Sequence, residues 1–475
     1  MPPTPRRSTS LLTISLEGPP RAYSPGDTLI GHVTRLQHIV GSQGVVTIEL
    51  SGRAKTRIEI HTGQSRKVKR SRFALIDERE TRQRIHHGPI HIPQGGGQPL
   101  VVPFVMTIPT HVSRRSLLGP SDTSFLPLDA ESVARQTLPS SVLAPSRHTN
   151  IQGFIEYFLE AKINIKGQDE AIATLPITIW NYSDGPPITD FQPRLSRHLC
   201  TVTSQRLEPG MEGTELTRKD KMKKFFGTQS VPRYAFQLEV GVPSVIQLDN
   251  PNPIPFTLRA VPDWKFVTES IQGVEQKIVL RNLYLTLDSM TQARADGNFS
   301  PYEKSTDVGV YIPTDRAFNA FALRREDVHV PSSDDLPALD VGRELNIRIT
   351  HHGATGNWKP LPAERPTNVR PTMTTYNFKI THALKWEAKL VIAGEEVKAK
   401  GVQPVHILQS AEAHQNEPAY TAPPPEEDLP LSDAWIQPPP GEHEALPTFN
   451  EVQREDRRRR ESRAVETAMR ETGQV

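Results

Sequence analysis

The chain has little of what several common classes of protein require. Among its 475 residues there is one cysteine, Cys200, so an internal disulfide and a zinc site with paired cysteines are both excluded. No run approaches the roughly 18 apolar residues of a membrane-spanning helix, and the basic start of the chain lacks the continuous apolar core of a signal peptide. This combination predicts a cytoplasmic protein.

Sequence motifs of catalysis are missing as well. There is no G-x-S-x-G and no H-E-x-x-H motif, and the triplet Gly95–Gly97 lacks the Lys-Ser/Thr of a phosphate-binding loop. His86, His87 and His91 have no cysteine or carboxylate pair nearby, which favours a solvated loop over a metal site. The sequence therefore predicts no catalytic residue, no metal and no cofactor, and we interpret the protein as a non-enzyme. An enzyme acting on sugars or lipids is a distant alternative, because no paired acids form a recognisable motif.

Composition limits both the partners and the extent of the folded part. Net charge is only +2, so no overall field attracts nucleic acid, and we expect no nucleic-acid partner. Apolar residues make up 36% of the chain and there are 44 prolines. Both values are unusual for a fully packed protein of this length, so part of the chain is expected to be loop or disordered tail.

What the sequence does contain is a repeated pattern of strands and turns. Apolar and polar residues alternate over Leu12–Leu16, and a proline break, a Pro-Gly-Asp turn and a new strand at Thr28–Val33 follow. Gly52 allows a bulge in the next strand. The clearest strand is Gly153–Lys166, with Leu175–Trp180 as its hairpin partner. No convincing amphipathic helix is present, so the first part of the chain is expected to be a β-sandwich.

A second unit with the same plan begins at Arg233, without close sequence identity to the first. The predicted fold class is therefore all-β, with two tandem antiparallel immunoglobulin-like β-sandwich domains. The predicted organisation is a disordered N-terminus at 1–9, sandwiches at 10–183 and 231–410, a connector and loop at 184–230, and a disordered proline-rich acidic tail at 411–475.

Several of these segments resemble the arrestin family, in particular the fungal-type α-arrestins. The resemblance covers about residues 10–410. It is carried by the opening Tyr23–Asp27 with Gly31 and Val33 (Y-x-P-G-D…G-x-V), Val46–Arg53 (V-x-I-x-L-x-G), Leu138–Ser141 with Gly153–Tyr157 (L-P-x-S…G-x-I-x-Y), and the closing strands Tyr376–Leu390 and Pro404–Leu408. Each motif is a weak strand-and-turn pattern, and their order and spacing provide the specificity.

The resemblance implies an arrestin fold and the function of a cytoplasmic adaptor. Such a protein binds the cytoplasmic tails of plasma-membrane transporters or receptors and recruits the WW domains of a HECT-type ubiquitin ligase, which promotes ubiquitination and endocytosis. It also implies transient recruitment to the plasma membrane or to endosomes. The alternative is a trafficking scaffold, similar to the retromer relatives of arrestins, that binds coat or sorting proteins without a ligase.

The tail departs from the WW-ligand motifs that the family uses, P-P-x-Y and L-P-x-Y. Two of its proline runs lack the tyrosine, and Phe449 replaces tyrosine in Leu446–Glu451. A phenylalanine keeps the ring but loses the hydroxyl hydrogen bond. A plain disordered tail is the alternative interpretation. The candidate WW-ligand residues are Pro418, Tyr420, Pro423, Pro424, Pro425, Leu446, Pro447 and Phe449.

A basic stretch in the first unit is the second candidate site. Arg53–Arg84 holds eleven basic and four acidic residues, and Gly63–Arg84 is expected to be a long hairpin loop. Its cations suit phosphorylated receptor tails or peripheral contact with an acidic membrane, while a solvated loop is the alternative. The acidic segment 411–456 could also fold back on it. The candidate contact residues are Arg53, Lys55, Arg57, Arg66, Lys67, Lys69 and Arg70.

Overall fold

The structure is a computed structural model. It describes residues 12–62, 65–95, 98–113, 124–145, 151–183, 185–211, 214, 231–295, 301–324, 326–333, 335–358 and 368–411. The N-terminus predicted to be disordered and all but the first residue of the predicted tail lie outside these ranges, as do all eight candidate WW-ligand residues.

The first half of the described chain, residues 12–183, consists mainly of β-strands that form two sheets. Its elements are β1 Thr13–Leu16, β2 Ala22–Tyr23, β3 Thr28–Arg35, β4 Ile39–Thr62, β5 Ser65–Ile76, α1 Glu78–Thr81, β6 Gln83–Ile92, β7 Leu100–Thr107, α2 Ala130–Arg135, β8 Val142–Pro145, β9 Ile151–Ile165 and β10 Ala171–Ile179. One sheet has the order β1-β3-β7, and the other follows β2-β10-β9-β4-β5, with β6 and β8 joined to β4 and β9.

The strand predicted over Gly153–Lys166 is confirmed as β9. Its predicted inner face, from Ile155 to Ile165, is buried at every second residue, as a strand with one side on the core requires. Phe158, on the other face, is buried as well. β10 pairs antiparallel with β9, as expected of the hairpin. The bulge expected at Gly52 is also present, because the register between β4 and β5 shifts between Gly52 and Arg53.

The second half, residues 185–411, is also mainly β-strand. Its elements are β11 Pro193–Thr203, β12 Arg233–Pro243, β13 Val245–Gln247, β14 Thr257–Pro262, β15 Ile278–Ala295, β16 Tyr302–Ile312, α3 Thr314–Arg324, β17 Leu339–Asp340, α4 Val341–Glu344, β18 Arg348–Thr350, β19 Gly353–Thr355, β20 Met373–Thr374, β21 Phe378–Ile392 and β22 Glu395–Leu408, with short 3-10 helices at Gln205–Leu207, Trp264–Phe266 and Glu269–Ile271. None of the helices in the described ranges is long and apolar enough to cross a lipid bilayer.

The weak repeat in the sequence corresponds to a close repeat in topology. The order β2-β10-β9-β4-β5 in the first half is matched by β13-β22-β21-β15-β16 in the second. In both, a short early strand pairs parallel with the last strand of its half. Each half has its own buried apolar cluster. The predicted all-β class is thus confirmed, with most of the strand pairs antiparallel.

The ends of two long strands join the halves. Ala293 of β15 and Phe378 of β21 belong to the apolar cluster of the first half. Beside them the buried Asn377 donates from Nδ2 to the main-chain oxygens of Ala54 and Ser71, at 3.2 and 3.4 Å. The second half therefore closes the end of the first core and hydrogen bonds with its backbone.

Three expectations about irregular segments are wrong in part. The predicted connector 184–230 contains β11, whose alternate residues Cys200 and Val202 are buried against the second core while Thr201 between them is exposed. The loop predicted over Gly63–Arg84 is largely strand, in β5 and β6, because β5 pairs with β4 and buries Phe73 and Leu75 at alternate positions. Residues 110–149 have no apolar period and are rich in proline and serine, which predicts a long surface loop, yet they contain α2 and β8.

In the second half a helix packs on the sheets. α3 places Ala317 and Phe318 in the second core. The exposed polar residues on either side of this pair, Arg316 and Asn319, weaken the apolar pattern of such a short segment in the sequence.

Candidate functional site

A row of cations lies on the outer face of the hairpin formed by β4 and β5. β5 is the last strand in the order of its sheet, so the hairpin is at the sheet edge. Ala54 and Ile58 of β4 are buried on the inner face, and the residues that alternate with them project outward. Cross-strand register places Arg72 opposite Lys55 and Arg70 opposite Arg57. We call Arg53, Lys55, Arg57, Arg70 and Arg72 the basic face.

The three cations contributed by β4 are held by acidic or polar neighbours. Arg53 is only 2% exposed, forms an ion pair with Glu156 and lies with its guanidinium carbon 4.9 Å from the ring centre of Phe158. Lys55 Nζ lies 3.0 Å from the same Glu156 carboxylate. Arg57 pairs with Glu59, with an Nη2–Oε1 distance of 2.7 Å. These contacts fix the positions of the β4 cations and offset part of their charge.

The two cations contributed by β5 are exposed. Arg70 and Arg72 project into solvent, and neither forms an ion pair with any residue that the structure describes. Arg70 lies directly opposite Arg57, and Arg72 lies directly opposite Lys55. Like charges in directly opposed positions destabilise a sheet, so a bound anion would relieve that repulsion.

The basic face has the chemistry of an anion-binding surface. Among the described residues, the carboxylates of Glu59 and Glu156 form ion pairs with its β4 cations. Guanidinium groups bind phosphate and carboxylate oxygens through paired N–H donors. Arg70 and Arg72 provide such donors at the surface, next to positively charged neighbours that are already held in place. Phosphate esters and carboxylates are therefore the ligands that suit it.

The structure separates the seven predicted contact residues. Lys69 lies opposite the buried Ile58, hence on the inner face, where its Nζ is 5.5 Å from the ring centre of Tyr302 in the second half. Lys67 is on the same side of β5 as Lys69. For Arg66 the structure describes only the backbone, which pairs with His61. Four predicted residues, Arg53, Lys55, Arg57 and Arg70, do share the outer face.

Sequence reasoning missed Arg72 and the acidic partner Glu156. The spacing of Arg70 and Arg72, two residues apart, places both on one face of a strand, but the expectation of a loop concealed this signal. Glu156 is about a hundred residues away from its partner Arg53 in sequence, and no local pattern connects them.

A serine, a histidine and an aspartate meet where the halves join, and their geometry is unlike that of a catalytic triad. Ser410 Oγ lies 3.0 Å from His351 Nε2 and donates to Asp249 Oδ2 at 2.6 Å. Asp249 Oδ2 also lies 3.3 Å from the same ring nitrogen. In a triad the carboxylate and the serine contact opposite ring nitrogens. Since the His351 ring also stacks on Trp180 of the first half, at 5.2 Å, the cluster serves to connect the halves.

The three histidines considered as metal ligands lie in a strand and not in the expected loop. His86, His87 and His91 belong to β6, which pairs with β4. Within the described ranges, no group of three or more histidine, cysteine, aspartate or glutamate residues is arranged to hold a metal ion.

Comparison with known proteins adds no family assignment. No protein-family model matches the chain, and no curated protein matches it either. The functional argument therefore depends on the motifs of the sequence, the topology and the basic face.

Proposed function

We propose that the protein is an arrestin-like cytoplasmic adaptor that binds the phosphorylated cytoplasmic tail of a membrane transporter or receptor and recruits a WW-domain ubiquitin ligase. The observation that carries the proposal is the repeated strand order of the two halves. Two matched sandwich-like units in tandem are what the resemblance to α-arrestins implies. The motifs that carry this resemblance lie mostly within strands and turns of the described chain.

The basic face is the proposed site for the phosphorylated tail. Arg70 and Arg72 are exposed, and each has a second cation directly across the strand pair. A phosphate group that bridges two such guanidinium groups would form charge-assisted hydrogen bonds, each contributing about 1.5–3 kcal/mol. No described strand pairs with the outer edge of β5, so an extended peptide can add there as a further strand.

The binding test compares the full-length protein with the double variant Arg70→Glu/Arg72→Glu. The probes are a serine-rich peptide with and without phosphate groups, and phosphatidylcholine vesicles with and without phosphatidylserine. The matched control, Arg194→Glu/Lys400→Glu, makes the same charge change at exposed positions of the second half. We expect the variant to lose at least about tenfold in affinity for the phosphopeptide, with the control unchanged. Equal losses in both variants would assign the effect to net charge and contradict the site.

The recruitment half of the proposal is tested with isolated WW domains and the full-length chain. Leu446–Glu451 has phenylalanine where the ligand motif has tyrosine. Restoring the hydroxyl in Phe449→Tyr adds a hydrogen bond of about 1 kcal/mol, so WW affinity should rise about fivefold. Phe449→Ala should reduce it. If neither substitution changes binding, or the wild-type chain binds no WW domain, the ligase-free trafficking scaffold becomes the better interpretation.

A further inference from the structure

Strand β11 is a long sheet edge with neither a bulge nor an internal proline. It ends the order β11-β12-β14-β17, and no described strand lies on its outer side. It pairs with β12 at eleven successive positions with no shift in register. Natural sheets protect such edges with short strands, prolines or bulges. In the three-stranded sheet of the first half, the edge strand β1 has only four residues and the other edge strand, β7, carries Pro103. In contrast, β11 has no proline beyond its first residue.

The outer face of β11 carries two exposed leucines with an arginine between them. Leu195 is 72% exposed and Leu199 is 57% exposed. Arg197 lies between them on the same face, with Nη2 2.8 Å from the Glu239 carboxylate. That carboxylate also accepts from Arg259 at 2.6 Å. The Arg197 side chain is 72% exposed, so its guanidinium is accessible to a further acidic group. The edge therefore presents the order apolar, cationic, apolar.

The chemistry of an added strand follows from this order. Opposed side chains on one face of a strand pair lie close enough to interact. A strand paired with β11 would place an apolar residue opposite each leucine and an acidic residue opposite Arg197. Its pattern is apolar-x-acid-x-apolar, which reads the same in both directions and so fits a parallel or an antiparallel addition. Backbone hydrogen bonds to the free edge would supply most of the affinity.

That pattern, with large apolar residues, occurs once in the chain beyond Ala411, at Leu431, Asp433 and Trp435. We propose that the segment 431–435 adds to β11 as an extra strand, with Asp433 opposite Arg197. The two apolar side chains would then cover Leu195 and Leu199. This contact differs from the fold-back of the acidic segment 411–456 on Arg53–Arg84 that the sequence suggests. That fold-back would depend on charge alone, whereas the contact with β11 also involves backbone pairing and apolar packing. It also does not depend on the proposed adaptor function.

The chain leaves the described structure near the start of β11. The main-chain N–H of Ser244 donates to Phe191 at 3.1 Å, two residues before β11, and His406, near the end of β22, donates to Ser244 at 2.8 Å. From Ala411 to Leu431 the chain can extend about 65 Å, while β11 is only about 36 Å long. The segment can therefore reach β11 in either direction. Because it is tethered, its effective concentration is on the order of millimolar.

Hydrogen exchange of the full-length chain tests the contact. The variant Leu431→Asp/Trp435→Asp disrupts both apolar contacts without altering β11, and Leu446→Asp is a matched control elsewhere in the tail. We expect the amides of residues 194–203 that point away from β12 to exchange about tenfold faster in the double variant, as for a contact of about 1.4 kcal/mol. The control should match the wild type. Unchanged exchange at β11 would overturn the proposal, and a change confined to residues 65–76 would assign the tail to the basic face.

Cysteine cross-linking gives an independent measurement. Asp433→Cys is combined with Arg197→Cys, and in the control with Val308→Cys, which is 44% exposed on another edge strand, β16. The native Cys200 is buried, and burial raises the pKa of its thiol to about 11, so it does not compete in mild oxidation. The pair at 197 and 433 should form a disulfide at least about tenfold faster than the control. Equal rates in the two proteins would show that the tail does not prefer β11.

Discussion

The stability of the protein should fall between pH 7 and pH 5 because of one buried histidine. His382 of β21 is 5% exposed, and its Nδ1 lies 2.8 Å from Ser289 Oγ. Burial, with a smaller contribution from the neighbouring His406, lowers the pKa of the imidazole to about 4. The folded protein therefore holds this ring neutral at a pH where the unfolded chain would protonate it.

The sign and size of the effect follow from proton linkage. Above pH 6.5 the ring is neutral in both states, so its contribution does not vary with pH. As pH falls below 6.5 the unfolded chain takes up a proton that the folded chain does not, and the free energy of unfolding decreases. At pH 5 the loss from His382 alone amounts to about 2 kcal/mol, and it is complete, at about 3 kcal/mol, once the pH is below 4.

The assay is chemical denaturation of the full-length protein at pH 7 and pH 5. The variant His382→Gln cannot be protonated, so its loss of stability over this interval should be about 2 kcal/mol smaller than that of the wild type. His87→Gln is the control, because His87 is exposed on β6. His351 changes stability in the same direction, since burial lowers its pKa too, and this part remains in both variants. Identical pH dependence of the wild type and His382→Gln would refute the reasoning.

Three further substitutions test the packing of the second half. Asn377→Ala removes two hydrogen bonds to buried main-chain oxygens of the first half and should cost about 1–3 kcal/mol, as measured by denaturation. In Gly401→Ala the new methyl group would lie 2.7 Å from the Trp386 ring, so overpacking should lower the free energy of unfolding by about 1–3 kcal/mol and reduce Tm. Hydrogen bonding from Arg259 lowers the pKa of the Glu239 carboxyl, so Glu239→Gln should destabilise the protein at pH 7. In thermal melts at a series of pH values, the difference in stability between the variant and the wild type should disappear as pH falls below about 4.5. A difference that persists in acid would mean that Glu239 acts through packing and not through its charge.

The elements that were predicted from sequence are those in which local pattern and burial agree. β9 alternates apolar and polar residues over most of its length, and its core face needs no information from the rest of the chain. The proline and glycine turns around Tyr23 likewise mark strand ends through backbone chemistry that is local. The second unit at Arg233 was recognisable for the same reason, as the same succession of strand, break and turn.

The elements that were missed are those in which tertiary contacts override a polar sequence. The many charged residues of β5 predict a loop exposed to solvent. Pairing with β4 makes this segment a strand instead and places its cations on two opposite faces. β11 was expected to be a connector, and only the second core makes it a strand, through Cys200 and Val202.

The sequence by itself determined that the protein is built from antiparallel strands in two similar units, because a two-residue apolar period and turn residues are local properties of the chain. Only the tertiary structure decided which cations share a surface, since Arg70 and Arg72 meet Arg57 and Lys55 through strand register, while Lys67 and Lys69 turn away. It also decided which strand edges remain open. Register and sheet order are set by contacts between residues far apart in sequence, and no single segment of the chain encodes them.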